Sequence, residues 1–173
     1  MKLVLIGYMG SGKSSIGKLL SSALNVPFLD LDIYIEEREG KSISALFETK
    51  GEIYFRKKEA FFLEEALKTH EKIILATGGG TPCYGTIMED LLKLENVLII
   101  YLQCSVATLT QRLWFQKKER PLIAHSNTKE DLHDFIRKHL FERSYFYNKA
   151  HNKILCDTFS EKEIVEKIVL QLF

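Results

Sequence analysis

No stretch of this 173-residue chain is long and apolar enough to read as a membrane span. Nor does the chain carry a block of like charge. Its 24 basic residues meet 23 acidic ones for a formal net charge of +1. The longest basic stretch beside an aromatic, Phe55-Arg56-Lys57-Lys58, runs straight into Glu59. Net charge therefore gives no argument for a nucleic-acid partner, and any phosphate binding has to be local. Cysteine is scarce: Cys83, Cys104 and Cys156 stand far apart in sequence with no CxxC pair. That spacing argues against a zinc knuckle or a thioredoxin-like site. Free thiols without a disulfide framework point to a reducing cytosol, and Cys104 and Cys156 lie in apolar stretches where they read as small buried hydrophobes. The N-terminal apolar run is short and leads into glycines and a lysine rather than a cleavage site, so no signal peptide is expected and a cytoplasmic location is. Arginine is scarce too, with six against eighteen lysines, so each arginine invites a specific reading.

What is present fits one core. The length suits a single domain over residues 1–173, and 46% apolar with 27% charged residues is ordinary for a folded soluble chain. Short apolar runs at Leu3–Ile6, Val26–Leu29, Ile73–Ala76, Val97–Leu102 and Lys153–Cys156 read as strands. Helical stretches alternate with them: 14–24, with Ile16, Leu19, Leu20 and Ala23 on one face, then 32–39, 42–50, 52–69, 87–94, 105–114, 130–147 and 160–172. Gly51 breaks the third, and Ser160 with Glu163 makes a capping box for the last. Strands alternating with helices predict an α/β fold with a parallel sheet, whose ligands bind beyond the carboxyl ends of the strands. The polar and glycine-rich residues gather at those ends.

Gly7-Tyr8-Met9-Gly10-Ser11-Gly12-Lys13-Ser14 matches GxxxxGK[ST] between a strand and a helix. Such a loop wraps phosphate in backbone N–H groups at a helix N-terminus; the lysine bridges β- and γ-oxygens, and the hydroxyl is a ligand for Mg²⁺. The nucleotide set is thus Gly10, Ser11, Gly12, Lys13, Ser14 and Ser15, for ATP with Mg²⁺. Asp30 and Asp32 follow a strand, and alternation along extended chain puts both on one side. Asp30 is assigned to the metal through water and Asp32 to a substrate hydroxyl. Gly78-Gly79-Gly80 leaves room for close approach. Arg120, beside Pro121 in the aperiodic segment 115–128, reads as a lid residue closing on the transferring phosphate. Arg56 and Arg143 are flanked by aromatics; spacing leaves them open as a partly buried pair or as helix-surface residues over a core stripe.

Taken in order, the P-loop, Phe28-Leu29-Asp30-Leu31-Asp32 with Ile35-Glu36, Ile43 with Phe47, Gly51-Glu52 with Phe55-Arg56, Gly78-Gly79-Gly80, Arg120-Pro121-Leu122 and Glu142-Arg143 with Tyr145 resemble the shikimate kinases over nearly the whole chain. The resemblance implies a P-loop NTPase fold, three-layer α/β/α with a five-stranded parallel sheet, similar to nucleoside monophosphate kinases, with a substrate-binding region at 32–60 and a mobile lid at 114–128. It implies MgATP-dependent phosphorylation of the 3-hydroxyl of shikimate, in the pathway to chorismate and aromatic amino acids. By the same resemblance Asp32 contacts the shikimate hydroxyls as base, Arg56 and Arg143 grip its carboxylate, and Gly79 lies in the substrate triplet. Glu59 orients that site, Ile43, Phe47 and Phe55 form its apolar wall, Arg120 reaches the phosphates and Arg112 packs on adenine. One segment departs from the family: Asp157-Thr158-Phe159-Ser160-Glu161 is shorter than the usual adenine-side loop and lacks its basic residue and proline. The resemblance therefore does not extend to how adenine is held there.

The rival expectations are a kinase of similar fold acting on gluconate or a nucleoside monophosphate, and a catalytically weak nucleotide-binding regulatory module. Intact Lys13, Ser14, Asp32 and Arg120 argue against the module. A monomer with a small-molecule substrate is expected.

Overall fold

Five parallel strands form the spine of the computed structural model, which describes residues 1–172; Phe173, the end of the expected domain, lies outside the described residues. The strands are β1 (Lys2–Ile6), β2 (Phe28–Asp30), β3 (Ile73–Ala76), β4 (Val97–Gln103) and β5 (Asn152–Leu155), in sheet order β2-β3-β1-β4-β5. β1 is central, pairing Leu3 with Ile74 on one side and with Leu98 on the other. A strand covered on both faces needs a continuous apolar run, and Leu3, Val4, Leu5 and Ile6 are all fully buried. The strand order reverses at β1, so the loop after it opens at the point where such sheets bind ligands.

Seven helices complete the fold among the described residues: α1 (Lys13–Leu24), α2 (Leu31–Glu39), α3 (Ile43–Thr69), α4 (Ile87–Leu92), α5 (Val106–Trp114), α6 (Lys129–Tyr147) and α7 (Glu161–Val169). α1 packs against α7, α2 against α3, and α5 against α6. The three-layer α/β/α architecture with a five-stranded parallel sheet is the one the sequence predicts.

The punctuation residues behave as their chemistry dictates. Ser42, Ser105, Thr128 and Ser160 each accept a backbone N–H at a helix start, and Thr128 with Asp131 and Ser160 with Glu163 close capping boxes. Gly40 ends α2 in the left-handed conformation. Gly51, at φ 81 and ψ 170, interrupts α3 between its two helical halves.

Three local expectations are corrected. Leu19 and Ala23 are exposed, and the buried side of α1 is Lys13, Ile16, Gly17 and Leu20, because Gly17 lets the Phe28 ring lie directly on the helix. Asp32 does not continue an extended strand: β2 stops at Asp30, and Asp32 sits in the first turn of α2. The stretch 115–128 is not wholly irregular either. It holds two single 3₁₀ turns, 117–119 and 121–123, and is anchored by the fully buried Ile123. Cys104 and Cys156 are buried free thiols, as expected, while Cys83 is half-buried.

Candidate active site

The P-loop leaves β1 at Gly7 and enters α1 at Lys13. Gly10 (φ 78) and Gly12 (φ 96) occupy the left-handed region that a side chain resists, and these turns aim the loop's amides inward. The Lys13 ammonium is drawn back across the loop and donates to the carbonyls of Gly7 (2.8 Å) and Tyr8 (3.0 Å). Burial lowers its pKa to about 8, against the pull of the Asp32 and Asp30 carboxylates. Ser11 is buried at the floor of the loop, and its hydroxyl makes no hydrogen bond among the described residues. An orphaned donor beneath inward-turned amides and a buried ammonium suits a polyphosphate.

Ser14 donates to Asp30 Oδ2 at 2.5 Å, and Asp30 Oδ1 accepts the N–H of Asp32 at 3.1 Å. Asp30 therefore caps α2 and reaches the P-loop hydroxyl at once. A hydroxyl and a carboxylate side by side are hard oxygen donors of the kind Mg²⁺ prefers. Among the described residues no cluster of three His, Cys, Asp or Glu side chains is placed to hold a metal. Ser15 stands exposed in the same turn.

Asp32 is half-buried, and its pKa is pushed up to about 6, chiefly by burial and then by the charges of Asp30 and Glu59; Lys13 opposes the shift. Beside it lies the glycine triplet after β3. None of the three glycines has a positive φ, so the triplet is there for space. A Cβ on Gly78 would stand 2.9 Å from Glu59 and 3.0 Å from Asp32. One on Gly79 would stand 3.3 Å from Arg143, and one on Gly80 2.7 Å from Arg56. Gly78 thus makes way for two charged side chains of the site, and Gly79 and Gly80 for one each.

Those side chains come from two distant helices. Arg56 and Glu59 lie one turn apart on α3, and Arg56 Nη1 donates to Glu59 Oε2 at 2.7 Å. Glu59 is buried, and its other oxygen accepts Thr81 Oγ1 at 2.5 Å. With both oxygens engaged, Glu59 holds Arg56 rather than acting as a base. Arg143 comes from α6 and has no carboxylate within ion-pair distance among the described residues, whereas Arg56 has two, Glu52 and Glu59. Of the two readings left open by the sequence, the half-buried one holds for both arginines. Phe47 and Phe55, on either side of the Gly51 break, meet at 4.7 Å between ring centroids, and the Arg56 guanidinium lies over Phe55. Ile43, half-buried, opens the same helix and donates its N–H to Glu36.

The remaining two arginines differ in what they hold. Arg112 donates to the carbonyl of Gly10 at 3.2 Å, bracing the P-loop from behind. Arg120 turns onto Gln116 of its own segment, at 3.0 and 3.2 Å, yet stands near enough to Lys13 for its charge to count. On the adenine side, Asp157 accepts the N–H of Ser105 and so caps α5. A groove of 450 Å³ lined by Lys2, Leu63, Leu67, Ile87, Leu91 and Asn96 contains no residue of this site.

The sequence reading did not pick out four residues that shape the site. Thr81 fixes Glu59. Tyr147, fully buried, donates to the carbonyl of Gly79 at 2.6 Å. Tyr8 and His139 share a hydrogen bond of 2.9 Å. A signal was available for two of them: His139, Arg143 and Tyr147 repeat every four residues and share one face of α6.

Comparison with known proteins identifies the family. The family profile described as shikimate kinase matches residues 9–173. A shikimate kinase from Flavobacterium johnsoniae is 46% identical over 168 residues, covering 97% of this chain and 96% of the relative. A crystal structure of shikimate kinase from Bacteroides thetaiotaomicron superposes with a TM-score of 0.90 at 35% identity, covering 99% of this chain and 98% of that one. The structure of shikimate kinase from Acinetobacter baumannii in complex with shikimate gives a TM-score of 0.84 at 31% identity, with coverage of 99% and 92%. The chain belongs to the shikimate kinase family.

Proposed function

We propose that this chain transfers the γ-phosphoryl group of ATP to the 3-hydroxyl of shikimate, giving shikimate 3-phosphate and ADP. The observation that carries this reading is the meeting of Arg56, Arg143 and Asp32 around Gly78-Gly79-Gly80, beside the P-loop lysine. Two arginines from different helices suit a planar carboxylate, and Arg143 has that pairing capacity unspent among the described residues. A carboxylate between them puts the ring of a hydroxy acid over the triplet, with hydroxyls toward Asp32.

Asp32 orients the acceptor hydroxyl and takes its proton, work suited to a carboxylate whose pKa is near 6. Lys13, the loop amides and Arg120 hold the transferring group, where positioning and charge stabilisation supply most of the rate. Ser14, with Asp30 acting through water, would hold Mg²⁺, which would supply charge neutralisation to the phosphates. Arg112 keeps the loop in shape through Gly10. Residues 32–60 form the acceptor region and 114–128 the lid, within one domain spanning the chain; lid closure excludes water and so limits wasteful hydrolysis. The protein works as a cytoplasmic monomer. None of its helices is long and apolar enough to cross a membrane among the described residues.

The test is ADP release with MgATP and shikimate, gluconate or a nucleoside monophosphate, with Asp32→Asn in parallel. Turnover confined to shikimate and lost in the variant is the expected result. Turnover with gluconate or a monophosphate instead would sink the arginine-pair assignment, and nucleotide binding without turnover on any acceptor would favour a regulatory module.

A further inference from the structure

On α6, Arg143 is bracketed by two hydrogen-bonding neighbours one turn away on either side. Tyr147 fastens the helix to the triplet through the Gly79 carbonyl. His139 fastens it to the P-loop through the side chain of Tyr8, whose hydroxyl lies 2.9 Å from Nδ1. The Tyr8 ring is buried with 1% exposure, and the Arg143 guanidinium lies over it at 5.7 Å. The His139 ring is held from its other side by Phe135 at 5.3 Å, which in turn meets His125 of the segment 114–128. The Tyr8 hydroxyl, on a buried side chain, is spent on His139.

We propose that His139 is a positioning residue that, through Tyr8, sets the place of Arg143 against the P-loop and so the grip on an acceptor carboxylate. The inference rests on the reading of Arg143 as a carboxylate ligand. Burial first, and the Arg143 charge second, push the His139 pKa down to about 4, and burial raises that of Tyr8 to about 12. The histidine is therefore neutral and the tyrosine protonated. Two neutral arrangements keep this bond; in the proposed one the Tyr8 hydroxyl donates to a bare Nδ1 and the ring proton sits on Nε2. A neutral ring is also the only form that can sit beside Arg143 without repelling it.

Four variants test this: Tyr8→Phe, His139→Phe, the double variant, and His139→Gln, whose amide oxygen accepts the same hydroxyl. Each Phe variant is expected to raise KM for shikimate about five- to tenfold, with kcat and KM for MgATP within about twofold of the parent. The double variant should match the singles, since both remove one interaction, and His139→Gln should restore KM. Additive losses, an equal rise in both KM values, or an unchanged KM for shikimate would overturn the proposal. Long-range proton–nitrogen spectra of the free protein give a readout without turnover. Nδ1 of His139 should be unprotonated and should shift in Tyr8→Phe; a protonated Nδ1 or an unmoved resonance overturns the inference. If the parent protein neither binds nor phosphorylates shikimate, the proposed function fails on its own, and the spectra then decide this inference by themselves.

Discussion

Asp32 and Lys13 are displaced from their ordinary pKa values in opposite directions, and burial is the first cause for both. The working form needs a carboxylate and an ammonium together. With MgATP varied, kcat/KM should therefore rise with pH through about 6 as Asp32 loses its proton and fall through about 8 as Lys13 loses its own. With shikimate varied at saturating MgATP, the acid limb should stay while the alkaline limb moves up, because phosphate beside Lys13 favours its charged form. Initial rates between pH 5 and 9.5 check both curves. The Asp32 shift also has a cost in stability. Its folded pKa lies above the unfolded value, so the penalty is absent below about pH 4 and complete above about pH 6, reaching at most about 3 kcal/mol. Asp32→Asn should lower kcat by roughly 10²–10⁴, yet raise the melting temperature at pH 7.5 and leave it unchanged near pH 4. Thermal melts at the two pH values test the sign. Both residues were legible in the sequence, because a P-loop lysine and an aspartate after a strand have a fixed chemical purpose. The helix at 32–39 was legible too, and it already conflicted with placing Asp32 by strand alternation; the structure resolves the conflict in favour of the helix, with Asp30 as its cap.

At the scale of elements, the triplet after β3 is where three remote pieces of chain are allowed to approach. Glu59 and Arg56 arrive from α3, Arg143 from α6 and Asp32 from α2. Gly80→Ala would put a methyl group 2.7 Å from the Arg56 guanidinium, so the arginine must swing away from Glu59. The expected result is a rise of about tenfold or more in KM for shikimate with KM for MgATP little changed. Steady-state kinetics in both substrates separate this from a general loss of fold, which would move both. The three glycines were readable as room for something. What they make room for was not, because the contacts join residues 19 or more positions apart, such as Gly78 with Glu59. Helix starts, by contrast, were readable nearly to the residue, because Ser105 and Ser160 cap locally and need no distant partner.

For the molecule as a whole, the base of the proposed lid carries the chain's only tryptophan. Lys117 lies 4.0 Å from the Trp114 ring centroid and donates to the carbonyl of Ser126, tying both ends of the segment together. Adding MgATP should change Trp114 emission as Arg120 leaves Gln116 for the phosphates, and Arg120→Ala should remove more than half of that change. A fluorescence titration of the two proteins decides it; equal changes would mean that Arg120 does not draw the lid closed. The amino-acid sequence by itself determined the α/β class, the five strands and the glycine-rich loop that opens α1. Those depend on period, glycine and capping chemistry, which act over a few positions. The tertiary structure alone decided that Arg56 is spent on Glu59 while Arg143 remains free of carboxylates among the described residues, that Arg112 braces Gly10, and that Tyr8, His139 and Tyr147 frame the site. Partners that meet across a packed core are chosen by the folding of the whole chain, and their spacing along it carries no trace of the meeting.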